Sequence, residues 1–145
     1  MSVEIRPVRY SQALFEPLLA EAETEGAPFL FRLRDEWESG ELCFDDKGEL
    51  LLGAFRGEWL VGCGGISRDP YAPAPGLGRV RHVYVLSGHR GRGIGGALME
   101  RLLDHARGHF SRLRLTTQRP EAARLYESLG FAPVQDRNQT HRLDF

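Results

Sequence analysis

Two periods of hydrophobic residues alternate along the chain, one suited to strands and one to helices, with glycine, proline and small polar residues between them. Residues 3–8 alternate charged and apolar side chains and predict a first strand. Residues 11–23 and 31–38 read as helices separated by Gly26-Ala27-Pro28, with Ser11 placed to cap the first. The apolar runs 50–55 and 59–66 flank Arg56-Gly57-Glu58 as a tight hairpin. Residues 69–78, with Pro70, Pro73, Pro75 and Gly76, predict a loop before a strand over 79–86. A helix over 94–109, a strand over 112–116 and a helix over 121–129 closed by Gly130 follow, and strands over 131–134 and 140–143 complete a mixed α/β pattern without repeats.

Length changes this picture little: 145 residues suit one domain, which buries roughly 68–70% of its unfolded surface without a metal or disulfide staple. Cys43 and Cys63 have no C-x-x-C spacing and read as buried thiols in a reducing compartment. Residues 1–10 lack a basic stretch followed by an apolar run, and no run of apolar residues is long enough to span a bilayer, so a cytoplasmic protein without membrane contact is expected. Charge adds an asymmetry. Residues 1–72 hold 14 acidic and 7 basic side chains, and residues 73–145 hold 6 and 12. A basic second half suits a polyanionic ligand and an acidic first half suits a cationic amine, unless folding interleaves the halves. Lys47 is the sole lysine, and no basic tract is interleaved with aromatics, so no nucleic-acid partner is expected.

The chemistry concentrates in Val83-Tyr84-Val85-Leu86-Ser87-Gly88-His89-Arg90-Gly91-Arg92-Gly93-Ile94-Gly95-Gly96, where a strand runs through a glycine-rich turn into a helix. The first amides of a helix lack carbonyl partners and sit at the positive end of its dipole, so phosphate oxygens are natural guests. Glycines let a pyrophosphate approach the main chain, and Arg90 and Arg92 add attraction. Gly91-x-Gly93-x-x-Gly96 formally matches a dinucleotide fingerprint. However, four residues separate Leu86 from Gly91, and the next strand ends in Thr116-Thr117-Gln118 without an acid for a ribose. A nucleoside triphosphate loop is excluded because no Lys-Ser or Lys-Thr follows the glycines.

Arg90, two spacers, Gly93, a spacer and Gly95, following a strand that ends Val83-Tyr84-Val85, resemble the cofactor motif of the GNAT superfamily of N-acetyltransferases. Downstream, Ala122-Ala123-Arg124-Leu125-Tyr126-Glu127-Ser128-Leu129-Gly130-Phe131 is similar to that family's A-x-x-x-Y helix followed by G-F. The resemblance is strong over 79–131 and looser elsewhere. It implies an α/β (α+β) single domain over 1–145, with a mixed, mostly antiparallel sheet of six to seven strands flanked by about four helices and a splayed central strand pair. It further implies acetyl-CoA as co-substrate and an amine-bearing acceptor, small molecule or peptide, in a monomer or homodimer. A non-catalytic acetyl-CoA-binding module of the same fold is the alternative.

By the same resemblance, Val83, Tyr84 and Val85 would offer main-chain groups to pantetheine, with the Val85 N–H on the thioester oxygen, while Arg90, Gly91, Arg92, Gly93, Ile94, Gly95 and Gly96 would hold the pyrophosphate. Tyr126 matches the general acid near the sulfur, with a core aromatic as the alternative. Where many relatives carry a glutamate base this chain has Arg79, which cannot take a proton, leaving His82 and His141 as candidates. Strand alternation places His82 and Tyr84 on one face and Arg81 and Val83 on the other, unless a bulge intervenes. His105 and His109 have metal-ligand spacing, but Ala106 stands where a zinc protease needs glutamate, so no metal is expected. Asp35, Glu36 and Asp69 could orient an amine, but are read first as a solvated helix face and a capped turn.

Overall fold

The computed structural model describes residues 2–145. Among them, β1 (Glu4–Pro7), α1 (Gln12–Glu25), α2 (Phe29–Ser39), β2 (Leu50–Arg56), β3 (Trp59–Arg68), β4 (Leu77–Val85), α3 (Ile94–Arg107), β5 (Arg112–Leu115), α4 (Pro120–Ser128), β6 (Ala132–Asp136) and β7 (Gln139–Asp144) follow in order. The strands form one sheet in the order β1-β2-β3-β4-β5-β7-β6. All neighbours are antiparallel except β4 and β5. The fold is therefore the mostly antiparallel seven-stranded α/β (α+β) sheet with four helices that the resemblance implies.

Local signals account for most element ends. Ser11 accepts a hydrogen bond from the Leu14 N–H and caps α1, a contact worth about 1 kcal/mol. The hairpin between β2 and β3 closes with Arg56 opposite Trp59. Gly130, with φ of 102°, follows the end of α4. One face of the sheet packs Leu52, Ile66 and Val80 against Leu98, Leu102 and Ala106 of α3. The other packs Leu51, Leu60 and Cys63 against Phe15 and Leu18 of α1 and Leu30 and Leu33 of α2. Burial holds the Cys63 thiol up at about 12, whereas Cys43 is only partly buried, contrary to expectation, because it lies in the segment beyond α2 with its thiol against the Trp37 carbonyl.

Two irregularities of the central strands create the site. The parallel pair β4 and β5 is joined only at Leu77–Arg112, Gly78–Leu113 and Arg79–Arg114, after which the strands part. In addition, Tyr84 pairs with Cys63 and Arg81 with Gly65, so one residue of β3, Gly64, faces both His82 and Val83. His82 takes up this bulge at a left-handed φ of 62°. The extra residue resets the alternation: Arg81 and Tyr84 both reach helices α2 and α1, while Val80, Val83 and Val85 pack with α3. Simple alternation, which separates Arg81 from Tyr84, is thereby corrected. No helix among the described residues is long and apolar enough to cross a membrane.

Candidate active site

A cavity of about 690 Å³ occupies the gap between β4 and β5. Its lining includes residues 79–85 of β4, 115–117 beyond the split, the turn ahead of α3, and Ala122, Leu125 and Tyr126 of α4. On the side of the cavity toward α3 the main chain dominates. The Leu86 N–H bonds to the Val61 carbonyl of β3. Peptide groups alternate along a strand, so the Val85 N–H points away from β3, toward the gap. The Arg90 Nε–H donates to the Val85 carbonyl on that same side at 2.8 Å.

Past a single 3₁₀ turn at Ser87–His89, Gly91 and Gly93 adopt φ of 76° and 81°, a region that costs a residue with a Cβ roughly 1–2 kcal/mol. Gly93 caps α3 without any side-chain partner. The first intrahelical bond reaches only Ala97, whose N–H donates to the Gly93 carbonyl. The amides of Ile94, Gly95 and Gly96 are thus left without helical acceptors, and all three residues line the cavity. A Cβ built on Gly95 or Gly96 meets only side-chain carbons of Leu125 and Val85, at 3.5 Å or more. This donor set fits a diphosphate, with the free edge of β4 alongside for an extended, amide-bearing chain.

The arginines of the turn act differently from one another. Arg90 forks onto Glu25 at 2.6 and 3.1 Å, which raises its own pKa and, as the leading cause, holds the Glu25 carboxyl below its usual range. Glu21 accepts from the Ser87 N–H and hydroxyl, and the Tyr84 hydroxyl donates to both Glu21 and Glu25. The guanidinium of Arg90 therefore braces the turn against α1. Arg92 lies outside the main cavity and lines a second, smaller hollow with Val3, Ile5 and Arg56.

Tyr126 lines the gap from α4, its ring set edge-on to Phe131. Burial pushes its phenol up to about 12, and its hydroxyl bonds to no described residue. His82 lines the cavity from the opposite side of the sheet. It is 5% exposed, neither ring nitrogen has a hydrogen-bond partner among the described residues, and Glu36 Oε1 lies 3.8 Å from Nε2. Burial, reinforced by the Arg81 and Arg32 charges, holds its pKa down at about 3. His141 is not among the lining residues; its ring is held between Glu127 at 2.8 Å and Thr140 at 2.9 Å.

Ion pairs invisible to local sequence reading surround His82. Arg81 binds Glu36 at 3.0 Å, and Arg32 joins the same carboxylate at 3.4 Å. Arg79 binds Asp69 at 3.3 Å and the Thr116 hydroxyl at 2.7 Å, and Arg114 reaches the same Asp69 oxygen at 2.7 Å. Glu36 and Asp69 are buried counter-ions instead of solvated acids, because the bulge and the split direct arginines of β4 and β5 onto them. Asp69 also accepts from the Tyr71 N–H, the turn contact expected of it.

Comparison with known proteins agrees with this geometry. A family model described as the acetyltransferase (GNAT) family matches residues 12–131. A protein of Exiguobacterium sp. 255-15, provisionally assigned as an acetyltransferase, is 33% identical with a TM-score of 0.86, over 99% of this chain and 94% of that one. The ribosomal-protein-alanine N-acetyltransferase of Brucella melitensis shares the fold at 21% identity and a TM-score of 0.73, over 98% and 99% of the two chains. The N-alpha-acetyltransferase RimI of Mycobacterium tuberculosis is 40% identical over 92 residues, 63% of this chain and 58% of that protein. The chain thus matches a little over half the length of that curated relative. With the split sheet, the uncapped glycine turn and the matched segment coinciding, the chain belongs to the acetyltransferase (GNAT) family.

Proposed function

We propose that the chain is an acetyl-CoA-dependent N-acetyltransferase that moves acetyl to a primary amine by direct attack. The chief support is one continuous cavity through the split sheet, with unpaired main-chain donors toward α3 and with Tyr126 and His82 facing it from opposite sides. The amides of Ile94, Gly95 and Gly96 would hold the pyrophosphate, and Val83 and Val85 would offer the β4 edge to the pantetheine arm. When bound, acetyl-CoA supplies an acyl group activated as a thioester.

His82 stays neutral at any pH near 7 and, with both ring nitrogens buried, lines the acceptor side without bonding the attacking amine. At about 3 its pKa is too low for it to take the amine's proton, which passes to cavity water. The Val85 N–H donates to the thioester oxygen as negative charge develops there. As the nitrogen–carbon bond forms and the carbon–sulfur bond breaks, the Tyr126 hydroxyl donates to the departing sulfur. Complete transfer from a phenol near 12 to a thiolate near 8.5 is uphill by about 5 kcal/mol. Tyr126 therefore stabilises the sulfur as a hydrogen-bond donor, and solvent completes the thiol.

Thiol release from acetyl-CoA, with an acetyl mass gain on an amine panel, tests the reading. The relative named as an N-alpha-acetyltransferase makes peptide α-amines the first members of that panel. Tyr126→Phe is expected to lower kcat about hundredfold while leaving CoA affinity unchanged; unaltered turnover removes Tyr126 from the mechanism. The presence of Arg79 where the resemblance would put a glutamate keeps a non-catalytic binding module as the second reading. CoA binding without thiol release across the panel would favour it.

A further inference from the structure

The far side of the cavity from the glycine turn carries an unbalanced charge. Arg32, Arg79 and Arg81 line it together with Phe29, Tyr71 and His82. Each of the two buried carboxylates behind this wall is shared by two arginines: Glu36 by Arg81 and Arg32, and Asp69 by Arg79 and Arg114. Four guanidiniums face these two carboxylates, with the exposed Asp136 also acting on Arg114, so the wall around the cavity stays net positive. Glu121 is the one acidic residue among the lining residues, and it already pairs with Arg119.

The arginines differ in how much donor capacity remains. Arg79 and Arg81 are 6% and 9% exposed and tied to their buried acids. The Arg32 side chain is 49% exposed; its Nε contacts Glu36 and its Nη1 donates to the Tyr71 hydroxyl at 2.8 Å, which leaves Nη2 without a partner among the described residues. Tyr71 also packs its ring against the guanidiniums of Arg32 and Arg79. Arg32 is thus a half-open, pre-positioned fork at the entrance, backed by two fixed positive charges. A bare cation such as a polyamine would be repelled here, and an oxyanion would be attracted.

We propose that the acceptor is an amine that also carries a carboxylate within a few bonds of the reacting nitrogen, and that Arg32 binds this carboxylate. This rests on the acetyltransferase reading of the same cavity and names its substrate class. The same positive field assists the chemistry, because it lowers the pKa of the bound ammonium and enlarges its neutral fraction. That supplies part of what a carboxylate base would otherwise provide. The acidic residues of the first half that come nearest the cavity do not offer free charge to a cationic amine: Glu21, Glu25, Glu36 and Asp69 are paired with Arg90, Arg81, Arg32, Arg79 and Arg114.

The test compares isosteric acceptors on the intact chain: peptides with Asp or Glu at the first or second position against their Asn and Gln counterparts, and free amino acids against their amides. Both kcat/KM for acetylation and equilibrium binding to the CoA-loaded protein are measured. Acidic acceptors are expected to be favoured about ten- to hundredfold, mainly through KM. Arg32→Gln should abolish the preference and Arg32→Lys should restore part of it, with CoA affinity unchanged in both. Equal rates for acidic and neutral members, or a preference for polyamines, overturn the assignment while leaving acetyl transfer standing. Selective, Arg32-dependent binding of acidic peptides without any thiol release upholds the anion site and overturns the catalytic reading. Absence of both turnover and selective binding overturns both.

Discussion

The two sides of the cavity are built from different materials. Toward α3 the working groups are amides of Ile94, Gly95 and Gly96 and the edge of β4, presented by a short, contiguous turn. Toward α2 they are side chains from four separate elements and loops, among them Arg32, Glu36, Asp69, Arg79 and Arg114, brought together only by tertiary structure. A main-chain site depends on conformation and tolerates changes in side chains. A side-chain site of buried charges depends on every member, since removing one leaves the others without compensation. Substitutions on the two sides should therefore fail in different ways.

Asp69→Ala should show the largest effect. It strands Arg79 and Arg114, whose side chains are 8% and 12% exposed, and a broken buried pair of this kind costs about 3–5 kcal/mol. Urea unfolding measures the loss; a change under 1 kcal/mol would show that water readily compensates these arginines and would blur the contrast.

Acid should weaken the same side next. His82 takes up a proton near pH 6.5 when unfolded but only near 3 when folded. Its contribution to stability is complete above pH 6.5 and is lost progressively as the pH falls toward 3, at a slope of about 1.4 kcal/mol per pH unit. His82→Asn should flatten the stability–pH curve between pH 6 and 4. If the curve keeps its slope in the variant, another group is responsible.

The smallest effect is expected on the main-chain side. Gly93→Ala places a Cβ at φ of 81° with no atom within 4 Å of it, so the loss is conformational, about 1 kcal/mol. It should appear as a five- to tenfold weaker CoA affinity by calorimetry, with the acid–base slope of His82 untouched. A loss of fold in this variant would erase the distinction between the two sides.

The same division governs what could be read from the sequence. The glycine turn and the Tyr126 helix are contiguous strings whose spacing carries their geometry, and the element order followed from periodicity to within a few residues. The wall of paired arginines left no comparable trace. Glu36 sits in an otherwise charged helix segment beside Arg34 and Asp35, and nothing local distinguishes it from a solvated acid. Arg81 appears on the wrong face until the bulge is known, and no glycine marks the left-handed position at His82 that takes it up. Arg90 shows the converse limit: its motif position was legible, but its commitment to Glu25 depends on where α1 lies.

The brief junction of β4 with β5, confined to Leu77–Arg112, Gly78–Leu113 and Arg79–Arg114, also has a mechanical meaning. It leaves the sheet as two leaves stitched at one end, where the Arg79–Thr116 bond and the shared Asp69 clamp tie them together. Charge neutralisation at that seam would thus alter how wide the opening stands, coupling the stitching to the aperture.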